Sequence, residues 1–298
     1  MTSLSYKEVY YAYSIHSCGI AVAAGLVGAK KALDASDKNA RARRMNRRAQ
    51  ETFENAKKEL LAARDEAGKA LENLGQAKVD ILHGSVTRFV DTFGKIHHVE
   101  LADSVGMDEL SEFEVNEDTL KEMGELGSLA AKMASGTVEG LAAGGLGIAG
   151  GTAVLGGLVA GPAIAVMGFM MDSRADKNLD MARSNRAKAR EAEEQMKLAG
   201  DACRAIGKRA DMFRDLISQV DTLFRPLIEK MEAVVKEKGT DYRDYGEEER
   251  KTIAMTLATA GAVKAVLDTP ILTKEGAVTE ESLRAYKKVE AFLPKVEG

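Results

Sequence analysis

His97 and His98, with Glu100 and Asp103 just beyond, bring together imidazole and carboxylate side chains of the kind that hold a divalent metal. Adjacent histidines rarely share one coordination geometry, so the segment reads as a solvated junction and no metal site is expected. His16 sits in an apolar stretch and reads as a hydrogen-bonded buried residue. Cys203 falls at a helical core position and reads as a small hydrophobe. With Cys18 it makes only two cysteines, too few for a disulfide framework, so a reducing compartment is the default. Charged residues are 30% of the chain, so carboxylate pairs occur everywhere and none stands out for acid–base work. The chain carries no Walker loop, dinucleotide fingerprint, CxxC or HExxH, and its glycine-rich centre has no following Lys-Ser/Thr to cradle phosphate. The expectation is a non-enzyme with no catalytic residues, no cofactor and no small-molecule substrate.

The remaining chemistry is that of charge beside apolar surface. Residues 10–29 hold no Asp, Glu, Lys or Arg, and Arg41, Arg43, Arg44, Arg47 and Arg48 follow. A second uncharged stretch, 140–171, is followed by Arg183 and Arg186. Basic clusters just past apolar segments suit a cytoplasmic face against anionic lipid, at about 1 kcal/mol per Lys or Arg. A solvated helix face is the competing reading, favoured at the second cluster by Asp172, Asp176 and Asp180. The net charge of −4 argues against a general nucleic-acid binder. No basic stretch precedes residues 10–29 and Ala32-Leu33-Asp34 is a poor cleavage site, so a cleaved signal peptide is not expected.

Gly136, Gly140 and Gly144 are spaced by four, as are Gly147 and Gly151, and Gly157 and Gly161. Such spacing makes a flat stripe against which another helix backbone can lie. Thirty-two uncharged residues make about 48 Å of helix against a hydrocarbon core of roughly 30 Å. Two spans need about 40 residues, reaching back to Ser128 and including Lys132 and Glu139. Gly150-Gly151 offers a turn and Pro162 a kink. Trp is absent, so the usual aromatic belt is missing. This profile fits a hairpin that inserts conditionally, or one packed within a bundle.

The elements that must carry these features are long helices. The chain has four prolines and the first is Pro162. Phe53, Leu60, Ala67, Leu74 and Ile81 form one heptad seam, with Ala56, Ala63, Ala70 and Ala77 three residues later. A second helix has seams Ala182, Ala189, Met196, Cys203, Ala210, Ile217, Phe224, Met231 and Asn185, Ala192, Ala199, Ile206, Phe213, Val220, Leu227, Val234. Asn185, polar at a core position, is a register-setting type of residue. Pro226 predicts a kink near the end. The two stretches read as a duplication. Asp37-Lys38-Asn39 recurs as Asp176-Lys177-Asn178, and Arg44, Asn46 and Arg47 meet Arg183, Asn185 and Arg186 at the same offset. With four residues removed, Phe89 aligns with Phe224. Residues 100–125 form an acidic connector with a short helix near 108–112, and Asn116 caps a helix from Glu117. After Lys238-Gly239-Thr240 a helix is predicted over 247–267, stopped by Asp268-Thr269-Pro270. A small hairpin around 274–276 and a final helix capped by Thr279 follow.

The fold class is therefore all-α: an elongated helical bundle with long heptad helices and a Gly/Ala-rich apolar hairpin. Its expected parts are an N-terminal apolar helix (1–32), a first heptad helix with the acidic connector and the start of a return helix (33–127), the hairpin (128–171), a second heptad helix (172–238) and a C-terminal helical subdomain (239–298). The run Met-Ala-Ser-Gly at 133–136 through Ala-Gly-Gly-Thr-Ala-Val-Leu-Gly-Gly-Leu-Val-Ala-Gly-Pro-Ala-Ile-Ala-Val-Met-Gly-Phe at 149–169, extending to Asp-Thr-Pro-Ile-Leu-Thr at 268–273, resembles a group of uncharacterised bacterial glycine-zipper helical proteins, loosely catalogued as chemotaxis-like. That resemblance implies no function to transfer. In plan alone, a polar helical rod with an apolar hairpin is similar to α-helical pore-forming toxins.

Two functional expectations follow. The first is a membrane-associating, pore-forming or membrane-remodelling protein whose glycine-zipper hairpin inserts conditionally and oligomerises. It would be cytoplasmic or peripheral to the inner membrane, with a homo-oligomeric partner and anionic lipid as contacts and nucleic acid disfavoured. The second is a soluble coiled-coil scaffold or oligomeric adaptor with the hairpin in its core.

Overall fold

A computed structural model describes the backbone of residues 6–99, 113, 115–134, 179–273 and 276–297, and the side chains of these from 33 onward, except 133, 134 and 297. The fold is all-α. Helix α1 spans Tyr6–Ile81 and passes through a π-helical turn, Leu82–Val86, into α2, Thr87–Phe93. Helix α3 spans Glu117–Ala134, α4 Leu179–Lys238, α5 Glu247–Asp268 and α6 Glu280–Glu297. Among the described residues the only β pairing is two isolated bridges, His97 with Asp241 and Leu272 with Val278.

The punctuation follows local chemistry. Asn116 Oδ1 accepts from the Thr119 amide at 2.8 Å and caps α3. Gly239 ends α4 at φ +88°, a left-handed position that costs an L side chain 1–2 kcal/mol or so. Thr279 Oγ1 accepts from the Ser282 amide at 3.1 Å and caps α6. Thr273 donates its amide to the Ala277 carbonyl at 2.8 Å, closing the small hairpin. Helix α1 runs on past residue 32, where no proline interrupts it, so 32/33 is no break in secondary structure. Helix α4 continues through Pro226 to Lys238. The short helix near 108–112 and the uncharged stretch 140–171 lie outside the described residues.

The chain divides into two packed units. One combines α1 up to Lys58 with α4 up to Lys197. Its buried side chains are small: Ala42, Ala49, Ala56, Ala182, Ala189 and Ala192, with Met196. Asn46 and Asn185 complete this seam. Both are buried, and Asn185 Nδ2 donates to Asn46 Oδ1 at 3.3 Å. These two asparagines occupy matching places in the two stretches that read as a duplication. We expect Asn46→Ala to cost about 1–3 kcal/mol, since the Asn185 amide loses a buried acceptor, whereas replacing both by Leu is close to neutral or stabilising. A double-mutant cycle followed by circular dichroism reads the coupling, and additive effects would contradict it.

The other unit starts at Glu59 and Leu198 and holds the large side chains. Here α1 and α4 run in the same direction: Ala67 lies against Gly207, Ser85 donates to the Asp221 carboxylate, and Phe89 meets Phe224 at 5.5 Å between ring centroids. The backbones come close where a Cβ on Gly207 would stand 3.4 Å from Ala67 Cα. In this unit the buried face widens from two columns to three. Leu71, Lys78, Ser85 and Thr92 are buried at seven-residue spacing beside the expected seams, because α3, α5 and α6 pack there as well. Helix α3 packs on the π-helical turn, and Thr87 Oγ1, at the start of α2, donates to the turn's Leu82 carbonyl at 2.9 Å.

Candidate functional site

The five arginines 41, 43, 44, 47 and 48 are all exposed, as are Arg183 and Arg186. At 100° per residue the five fall within an arc of about 160° on the face of α1 opposite the Ala42–Asn46–Ala49 seam. The spacing that buries the alanines therefore turns every arginine outward. From Lys38 to Gln50 no acid interrupts them. The described side chains of this unit, 33–58 and 179–197, carry thirteen Lys and Arg against eight Asp and Glu, a net +5 in a chain of net −4. Arg47 stands 3.9 Å from Glu51, and Arg183 Nη1 stands 3.1 Å from Asp180 Oδ1. Such exposed pairs contribute 0–1 kcal/mol or so and leave a guanidinium able to exchange its carboxylate for a phosphate.

The helix-packing candidates Gly136, Gly140, Gly144, Gly147, Gly151, Gly157, Gly161 and Pro162 lie outside the described residues. Helix α3, described to Ala134, includes the first seven residues of the expected 128–171 hairpin. Among the described residues no helix is long and apolar enough to cross a membrane.

His97 and His98 lie against residues 240–242. The His97 amide donates to the Thr240 carbonyl at 2.8 Å and its carbonyl accepts from the Tyr242 amide at 3.0 Å, so His97 serves as a backbone splice. His98 Nδ1 lies 3.3 Å from Asp241 Oδ1. Arg243, hydrogen-bonded to that same carboxylate, holds Asp241 far below the usual carboxylate range. Glu100 and Asp103 lie outside the described residues, and among those described no three His, Cys, Asp or Glu side chains group as a metal site. Cys203 is wholly buried on the α4 seam, and desolvation raises its thiol pKa, which suits packing and not redox work.

Lys78 escaped the two-seam pattern. It is 2% exposed, and its Nζ donates to the Leu267 carbonyl at 2.8 Å, in the last turn of α5. A cation there complements the helix dipole. Burial nonetheless lowers its pKa from 10.5 to about 8, opposed by the charge of Asp268. The sign follows from proton binding: between about 8 and 10.5 the unfolded chain holds more protons than the folded one, so this lysine's cost is full below pH 8 and is relieved as pH rises. The whole window is worth about 3 kcal/mol. Relative to Lys78→Met, the native chain should gain stability between pH 7.5 and pH 10 in urea unfolding. An equal difference at both pH values would refute the assignment.

Comparison with known proteins returns no match: no family model fits the chain, and neither a curated protein nor a solved structure matches it. No relative therefore supplies a role for these residues, and the functional reading rests on charge, burial and sequence.

Proposed function

We propose that the chain is a non-enzymatic, membrane-associating helical protein whose Gly/Ala-rich segment 128–171 enters bilayers conditionally and self-associates there, with the arginine face of α1 as its anionic-lipid contact. The observation that carries this reading is the outward display of all five α1 arginines just beyond the uncharged run 10–29. Pore formation or membrane remodelling is the outcome that glycine-spaced helix packing would support. Insertion on demand suits a segment that is uncharged but rich in glycine and free of tryptophan. The activity would come from binding and assembly, without bond-making chemistry.

A soluble scaffold is the second reading. The buried parallel pairing of α1 with α4 favours it. Fractionation of cells expressing the native chain separates the two. The proposal expects a membrane-bound pool, part of it released by 1 M salt. A chain found wholly in the supernatant at low salt would favour the scaffold.

A further inference from the structure

Phe113 is anchored like a core residue although its neighbours in sequence are acidic. It is buried and meets the Phe292 ring of α6 edge-on at 5.1 Å between centroids. Lys288 Nζ lies 4.4 Å above the Phe113 ring, a cation–π contact. On the other side residues 113 and 115, the strap that precedes α3, press on α5 at Gly261. A Cβ built there would stand 2.7 Å from the Phe113 carbonyl oxygen, 2.8 Å from Phe113 Cβ and 3.1 Å from Val115 Cγ2. All three atoms belong to the strap, so the glycine is a notch shaped for it. Directly after the strap Asn116 caps α3. One turn beyond the notch, Lys264 Nζ reaches Glu122 Oε2 of α3 at 2.8 Å. Helix α3 then leads, after Ala134, into the segment with the spaced glycines.

We propose that residues 113 and 115, seated in the Gly261 notch between α5 and α6, form a clasp that holds α3 on the bundle and whose release frees α3. The clasp stands on these contacts alone. Its consequence, control over when segment 128–171 becomes available, rests on the membrane reading above. The anchor is chemically economical. One ring, one cation and one missing Cβ fix the start of α3, while the rest of α3 packs on the π-helical turn and α2 through buried Met123, Gly127 and Ala130 and partly buried Leu120 and Leu126. The ion pair joins an exposed Glu122 to a largely buried Lys264 that also pairs with Asp268, so it supplements the clasp without replacing it.

The test is hydrogen–deuterium exchange of the full chain, comparing the native protein with Gly261→Ala and Phe113→Leu. Gly261→Ala pushes the strap out by contact with its backbone. Phe113→Leu keeps an apolar side chain, so it remains folded while losing the ring contacts. The clasp predicts at least tenfold faster exchange over 117–134 in Gly261→Ala, a smaller rise in Phe113→Leu, and unchanged exchange over 206–228 of α4. Unchanged exchange over 117–134 would overturn the proposal, and so would a rise shared equally by α4. Vesicle flotation of the same variants reads the consequence separately. Faster α3 exchange with greater flotation supports both ideas. Faster exchange without it upholds the clasp and counts against the membrane reading.

Discussion

Phe89→Ala should remove about 3–5 kcal/mol of stability, the largest single-site loss expected in this fold. The ring is wholly buried, 5.6 Å from Phe93 and 5.5 Å from Phe224 between centroids, and it belongs to the helical stretch that also carries the π-helical turn and the contact with α3. Truncation leaves a cavity bordered by two other rings that are themselves fixed on helices, so collapse is restricted. Tertiary aromatic circular dichroism and the urea midpoint should fall together. A loss under 1 kcal/mol would mean that the unit is not centred on this cluster. The equivalent experiment in the alanine-lined unit has a smaller ceiling, because a methyl group contributes only about 0.8 kcal/mol on burial. The two units should therefore differ in how much a single seam residue matters.

Replacing Arg41, Arg43, Arg44, Arg47 and Arg48 together by Gln should abolish most binding to anionic vesicles while leaving helicity intact. Each arginine near a charged surface is worth about 1 kcal/mol, so three engaged residues give about a hundredfold and five give several thousandfold. All five are exposed on the face away from the seam, so no buried contact is lost with them. Their effect should shrink as salt rises, since the attraction extends about a Debye length. Equal partitioning of native and variant chains at low salt would remove the arginine face from the account.

Much of the helical scaffold was legible because two periods reinforce one another. All eight residues of the seam from Ala182 to Met231 are buried, and so are the residues of its companion from Asn185 to Leu227. Asn116, Gly239 and Thr279 act at the helix ends where their chemistry predicts. What the heptads hid has physical causes. A two-column reading suits a pair of helices, but the unit with the large side chains buries a third column on α1, which is where Lys78 sits. Its hydrogen bond reaches a carbonyl 189 residues away, and no local pattern announces that. Asn46 was visible as the partner of Asn185 in the duplication, yet its own core position lies seven residues before Phe53, where the seam reading began. Phe113 lies in an acidic run that reads as a connector, and only the distant Gly261 and Phe292 make it a core residue. The arginine cluster stands in the sequence as a charge run, but its outward display follows from the buried Ala42, Asn46 and Ala49, which precede the stretch where the heptads were read.

Flotation of the purified full-length chain with vesicles of neutral lipid and of neutral lipid containing about a third anionic lipid tests the central claim most directly. The account predicts that the chain rises with the anionic vesicles at low salt, that a salt-resistant fraction stays bound once the uncharged segment has entered, and that neutral vesicles capture far less. A chain that stays at the bottom of the gradient with both vesicle types, at low salt and after mild acid or heat, would contradict it.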